Sequence, residues 1–331
     1  MSIEVKPLVG TGATFALDEQ ERTEVEVLAS YLAEVEPRLV DEPVWLAAAR
    51  DLSSSLPVRL RQAMRRFARD PGQEGLLLLK NLPTRPELLP GTPTVAGSVQ
   101  RASTLPAAVE VLVALQLGDL IAFQEEKSGA LVQDVVPVPG MEQFQGNAGS
   151  VRLSLHVENA FHVNRPDYVG LHCLRADHDG FAGTEVASIR NALPRLSDED
   201  RAVLHRPCFV TAPPASFGAM DGPPAPHAIL SGDPEDPDVQ VDFESTRPVG
   251  PEATRAMEAL GDALAAVYRK VVLEPGHLVF LDNRIALHGR SAFEPRYDGR
   301  DRWLQRVFVH RDMRRSRSLR ADDGYVISSR F

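Results

Sequence analysis

Near its start the chain places Val25, Leu28, Leu32 and Val35 three and four residues apart, behind Asp18, a residue type that caps helix starts. Leu60, Met64 and Phe67 repeat the spacing, so residues 1–70 are expected to be mainly helical. G-L-L-L-L-K, residues 75–80, is an unbroken apolar run closed by Asn81 and Pro83, the pattern of a buried strand. Helical periodicity is read again over residues 107–123, and at Met257, Leu260, Leu264, Val267 and Val271. Between these stretches lie short apolar runs broken by Gly and Pro: L-V-Q-D-V-V-P-V, L-S-L-H-V-E-N-A-F-H and D-Y-V-G-L-H-C-L. Such spacing predicts a sheet-rich core, barrel or sandwich, flanked by helices: an α+β protein that is mainly β at its centre. Residues 212–226, A-P-P-A-S-F-G-A-M-D-G-P-P-A-P, hold too many prolines for regular structure and form either a lid or a plain surface loop. No internal repeat or linker stands out, so one domain over residues 1–331 is expected.

Charge narrows the partners. A formal net charge of −10 leaves no global positive field for phosphate backbones or anionic lipid, which argues against nucleic acid and membrane surfaces. The first residues lack a basic start followed by an apolar core, and no run of about 18 apolar residues occurs, so a cytoplasmic protein is expected. Cys173 and Cys208 form neither a disulfide framework nor a close-spaced metal pair and read as buried thiols. Self-association is left open.

The chemistry begins at His156 and Glu158. Residues two apart on a strand point the same way, so the two side chains can reach one object. Alone, the pair reads first as a satisfied strand histidine beside a surface carboxylate; to read as a metal site it needs a third ligand. Two imidazoles and one carboxylate on one face are what non-haem iron enzymes use, and His288, in D-N-R-I-A-L-H-G-R, is the candidate third. Further on, R-W-L-Q-R-V-F-V places Arg302, Leu304, Arg306 and Phe308 on one face of a strand. Neighbouring arginines on one face need anions, and their planar forks suit carboxylates, which points to two carboxylate-bearing small molecules. His162, His172 and His178 are close by; His172 and Cys173 read as packing residues of an apolar strand.

H-V-E at 156–158, D-N-R-I-A-L-H-G-R-S-A-F-E-P-R-Y-D-G-R-D-R-W-L-Q-R at 282–306 and the later R-S-R together resemble the clavaminate synthase-like branch of the iron(II)/2-oxoglutarate oxygenases. Within that branch the chain resembles the hydroxylases of free basic L-amino acids. The resemblance implies a double-stranded β-helix, or jelly roll, with flanking helices. It implies His156, Glu158 and His288 as Fe(II) ligands, and 2-oxoglutarate and O2 as cosubstrates. Arg302 would clamp the distal carboxylate of 2-oxoglutarate, helped by Thr184 in F-A-G-T-E-V, and Arg306 would hold the substrate α-carboxylate. Glu126, in F-Q-E-E-K-S-G, falls where the family meets the substrate ammonium, with Gln124 as a neighbour in the same role; a solvated acidic patch is the alternative. Asp242 and Glu244, in D-V-Q-V-D-F-E-S, share a face if extended and match an acidic pair that holds a cationic side chain, or else form an exposed strand end. The implied reaction hydroxylates an unactivated side-chain carbon, C3 or C4, of lysine first and arginine second, with release of succinate and CO2. Val157 stands where relatives commonly have threonine, which removes no ligand, and the presence of Glu158 favours hydroxylation over halogenation. Two rivals keep the same residues: a zinc hydrolase and a non-enzymatic jelly-roll protein that binds an amino acid.

Overall fold

The computed structural model describes residues 14–218 and 224–328. Asp18 caps the helix Glu19–Ala33 in a reciprocal box with Glu21, and Val25, Ala29 and Leu32 face inward, as the periodicity requires. Val58–Arg69 likewise buries Leu60, Met64 and Phe67. These helices and Leu105–Ala114 pack on the outer face of an eight-stranded sheet, against Leu77, Leu79, Leu278, Phe280 and Val309. That sheet runs in the order Thr14–Ala16, Leu76–Lys80, Leu278–Asp282, Tyr168–Arg175, Trp303–His310, Asp119–Phe123 and Val326–Ile327, with Gln133–Val135 also paired to Trp303–His310.

A four-stranded sheet faces it, in the order Arg269–Val272, Gly183–Ser188, Ala286–Arg290 and Leu153–His156. Leu76, Val169, Leu171, Val279, Leu304 and Phe308 of the first sheet meet Val186, Val271 and Ala286 of the second in a common apolar layer. Two sheets closed face to face over such a layer form the expected jelly roll. The helix Pro251–Ala265 covers the outside of the smaller sheet.

Two expected helices are shorter than their periodicity implies. Over residues 107–123 the helix ends at Ala114, and Asp119–Phe123 is a strand paired with Trp303–His310. Gly118 makes the switch possible, because a Cβ there would sit 2.1 Å from the His310 carbonyl oxygen. Leu120, Ile121, Ala122 and Phe123 are all buried, and a strand covered on both faces has the same apolar texture as a buried helix. Val271 likewise belongs to the strand Arg269–Val272, since the preceding helix stops at Ala265. Of the proline-rich segment 212–226, residues 219–223 lie outside the described residues. Cys173 is buried, Cys208 half-buried, and both are free thiols.

Glu110 is an outlier in the helical layer, a carboxyl fully buried beside the backbone of His172 with no side-chain partner among the described residues. Burial, and then the charge of Asp134, push its carboxyl well above the usual range. The folded state therefore holds this proton at pH values where the unfolded chain has released it, so stability falls as pH rises past the unfolded value. Glu110→Gln is expected to raise Tm at neutral pH and to lose that advantage below about pH 4, in the range where an unfolded glutamate is itself protonated. Thermal melts of both proteins across pH 4–8 check this.

Candidate metal centre

His156 closes the strand Leu153–His156 and lies directly opposite His288 in the antiparallel ladder with Ala286–Arg290. Their ring centroids are 4.4 Å apart. Beyond the strand, Val157 donates its N–H to Val241 O (2.9 Å), and Asn283 grips the next residue from both sides. The Glu158 N–H donates to Asn283 Oδ1 (2.7 Å), while Asn283 Nδ2 donates to Glu158 O (3.0 Å) and to Pro166 O (2.9 Å). A left-handed Asn159 then turns the chain away, which breaks the strand before His162.

His156, Glu158 and His288 thus converge, with one ligand atom of each within 4.8 Å of the others and His288 Nε2 3.6 Å from Glu158 Oε2. His156 Nδ1 lies 2.9 Å from Ser154 O, an arrangement that directs the Nε2 lone pair inward. Burial alone would raise the Glu158 pKa, but Arg306 and the two histidines outweigh it and hold the carboxyl well below the usual range. Burial, then the neighbouring His156, lowers that of His288. The resulting carboxylate and neutral imidazole are the forms a divalent metal takes as ligands, and two nitrogens with one oxygen on one side suit non-haem iron.

Beside the triad, Arg302, Leu304 and Arg306 line the same cavity, as alternation along Trp303–His310 requires. Arg302 is 5% exposed, and among the described residues no hydrogen bond or ion pair reaches it. A buried guanidinium without a counter-ion is costly unless a ligand supplies the anion. Thr184, buried and cross-strand from Arg290, lines the same wall.

Arg306 is differently placed. It pairs with Glu126 and Gln133 and reaches Glu158 Oε2 at 3.0 Å; with the Asn147 amide turned so that its oxygen faces the guanidinium, both terminal nitrogens donate to that oxygen at 3.2 Å, while the buried Nε has no partner. Glu126, Asn147, His156, Glu158 and Arg306 open onto a second cavity of about 550 Å³, ample for an amino acid. Ala212–Phe217 forms part of its wall, as does Asp242, whose backbone bridges His156.

Gln124 departs from expectation: it is exposed and lines neither cavity, with its side-chain oxygen beside Gly129. Asp242 and Glu244 are not extended either. Asp242 Oδ1 accepts the Glu244 N–H (2.8 Å) and Oδ2 accepts the Ser245 hydroxyl (2.8 Å), which folds the segment into a turn. Both residues still border the large cavity, Asp242 half-buried and Glu244 exposed.

Asn283, Asn147 and Arg290 were not legible as site residues. Arg290 lines the triad's cavity, donates to Gly146 O and Val151 O at 3.2 Å each, and is pushed down to about 9 by burial and by Arg302. The H-G-R run following the proposed ligand His288 was the available signal for it.

The two facing sheets, with a two-histidine, one-carboxylate group at the mouth of the layer between them, define the jelly-roll oxygenase architecture. Residues 109–308 match the family described as taurine catabolism dioxygenase TauD, TfdA family, and the chain belongs to it. It is 50% identical over 316 residues to the L-asparagine oxygenase of Streptomyces coelicolor, covering 95% of this chain and 94% of that one. To clavaminate synthase 2 of Streptomyces clavuligerus it is 38% identical over 297 residues, covering 88% and 90%. A crystal structure of asparagine oxygenase in complex with Fe(II), 2S,3S-3-hydroxyasparagine and succinate superposes with a TM-score of 0.93 at 48% identity, covering 96% of this chain and 99% of that one. The protein is accordingly an Fe(II)/2-oxoglutarate-dependent dioxygenase of the clavaminate synthase-like type, rather than a zinc hydrolase or a non-enzymatic binder. Among the described residues, no helix is long and apolar enough to cross a membrane.

Proposed function

We propose that the protein hydroxylates a side-chain carbon of a free L-amino acid, with L-asparagine as the preferred substrate. The carrying observation is the arrangement around the large cavity: Arg306 and Glu126 at the triad's edge, and one half-buried carboxylate, Asp242, whose backbone bridges His156. In this reading His156, Glu158 and His288 hold the iron. Iron(II), with 2-oxoglutarate and O2, supplies the oxidising power, releasing succinate and CO2 as the side chain gains a hydroxyl group.

The protein's own contribution is placement. Arg302 and Thr184 fix the distal carboxylate of 2-oxoglutarate through the guanidinium fork and a hydroxyl. Arg306 takes the substrate α-carboxylate, and Glu126 its ammonium, so the α-carbon is tethered by opposite charges on either side. Asn147 steadies Arg306 from the loop above. With its head fixed, the substrate presents a side-chain carbon toward the triad, which is how orientation contributes to rate.

The far end of the cavity decides the substrate. Each Asp242 oxygen already accepts one hydrogen bond from its own turn, so the carboxylate retains lone pairs for an N–H donor but is partly satisfied. A neutral carboxamide N–H₂ suits that acceptor, and the 50% identity to an L-asparagine oxygenase supports the same reading. Lysine, then arginine, is the second reading, favoured by Glu244 on the same cavity as a second negative charge. A buried ammonium, however, calls for buried counter-charge, and Glu244 is exposed.

Asp242→Ala is expected to raise KM for asparagine roughly 10- to 100-fold, the loss of a hydrogen bond to a charged group, with a smaller effect on kcat. Steady-state succinate release measures it. An unchanged KM would remove Asp242 from the substrate site, and a lysine preference in the unaltered protein would favour the second reading.

A further inference from the structure

Away from the iron site, His178, Asp298 and Asp301 bring one ligand atom each to within 4.8 Å of one another. None of them lines the cavities around the triad. We infer that this cluster is a second metal site, for a divalent first-row ion such as zinc, which pins the loop before Trp303–His310 to the loop after Tyr168–Arg175.

Three observations carry the inference. Asp301 is 2% exposed, and its Oδ2 has no hydrogen-bond partner even though Oδ1 accepts the Arg296 N–H at 2.7 Å. An unsatisfied carboxylate oxygen buried this deeply needs a positive partner. The second is convergence: His178 Nε2 lies 3.2 Å from Asp298 Oδ1 and 3.6 Å from Asp301 Oδ1, so the imidazole and both carboxylates meet at one place. Third, those separations match the edges of a coordination tetrahedron: zinc bonds of about 2.0–2.2 Å to nitrogen and oxygen place neighbouring ligand atoms roughly 3.3–3.5 Å apart.

The surroundings are already rigid. Asp177 accepts the N–H groups of Phe181 and Ala182, each at 3.0 Å, shaping the His178 loop. On the other side, the Asp301 carbonyl accepts the Thr92 hydroxyl at 2.7 Å, and Asp298 Oδ1 accepts the Arg300 N–H at 2.9 Å. One imidazole and two carboxylates form a nitrogen–oxygen donor set that first-row divalent ions accept, water completing the shell. Because Asp301 immediately precedes Arg302, the ion would fix the stretch of backbone that carries the cosubstrate clamp.

The test separates this site from the first. Protein carrying His156→Ala and His288→Ala, which lacks the iron ligands, is dialysed against micromolar zinc and analysed for metal content. About one zinc per chain is expected, with a rise in Tm on zinc addition, because an ion that binds only the folded state stabilises it. Adding His178→Ala or, more conservatively, the half-exposed Asp298→Asn should abolish both the zinc and the Tm shift while leaving the circular dichroism spectrum unchanged. Failure to retain zinc in the doubly substituted protein would overturn the inference. Zinc that persists after His178→Ala and Asp298→Asn would overturn it equally.

Discussion

Glu158→Ala or His288→Ala is expected to abolish iron-dependent turnover, with a fall of a thousandfold or more, on the order of the several kcal/mol a catalytic metal supplies. The loss should appear first in metal content. The triad suits a divalent ion because Arg306 stabilises the Glu158 carboxylate and burial lowers the His288 pKa toward the neutral imidazole; removing either residue breaks the facing set that His156 begins. Glu158→Ala has a second consequence. It removes one of the two carboxylates around Arg306, so the substrate subsite loosens along with the metal centre, whereas His288→Ala leaves Arg306 and Glu126 as they are. Iron content, measured beside succinate release, distinguishes the two: both variants lose iron, and only Glu158→Ala should also weaken binding of the amino acid to the metal-free protein.

Arg302→Met has the next largest effect, but on a different quantity. Losing a buried charge-assisted clamp costs about 3–5 kcal/mol, which corresponds to a rise in KM for 2-oxoglutarate of roughly two to four powers of ten. The fold should not suffer. Arg302 is buried, makes no direct ion pair among the described residues and feels Asp177 only at a distance, so replacing it with an apolar side chain of similar length removes a poorly compensated charge, and Tm of the protein without cosubstrate should hold or rise. A structural role would show the reverse, a lower Tm with KM unchanged. Titration with 2-oxoglutarate beside a melting curve tests both together.

How much of this was legible beforehand depended on the range of the interaction. The period of two along a strand sufficed to put Arg302, Leu304 and Arg306 on one wall, and the structure keeps that alternation through Trp303–His310. Helical spacing and an N-cap residue located Glu19–Ala33 for the same reason, since both are local. The pairing of His156 with His288 was beyond spacing, because a ladder register between strands so distant in the chain is set by the closure of the whole sheet. The chemistry of a two-histidine, one-carboxylate set proposed His288 as the partner of His156 and Glu158, and the resemblance to known oxygenases supported it. Asn283 was invisible because it works on backbone groups: it satisfies both the N–H and the C=O of Glu158, and no side-chain pattern records that. Residues 119–123 were misread because burial on both faces erases the alternation that marks a strand. Asp242 was misread for a different reason, its side chain competing for local backbone N–H groups and turning the chain where an extended segment had been expected.

The most direct measurement is a set of aerobic incubations with iron(II), 2-oxoglutarate and one L-amino acid at a time, following succinate together with any product heavier by one oxygen atom. Asparagine should yield that product in proportion to succinate, with lysine and arginine far behind. Hydroxylated lysine or arginine, with asparagine untouched, would contradict the assignment of Asp242 to a carboxamide; succinate release that no amino acid accelerates would contradict the free amino-acid substrate altogether.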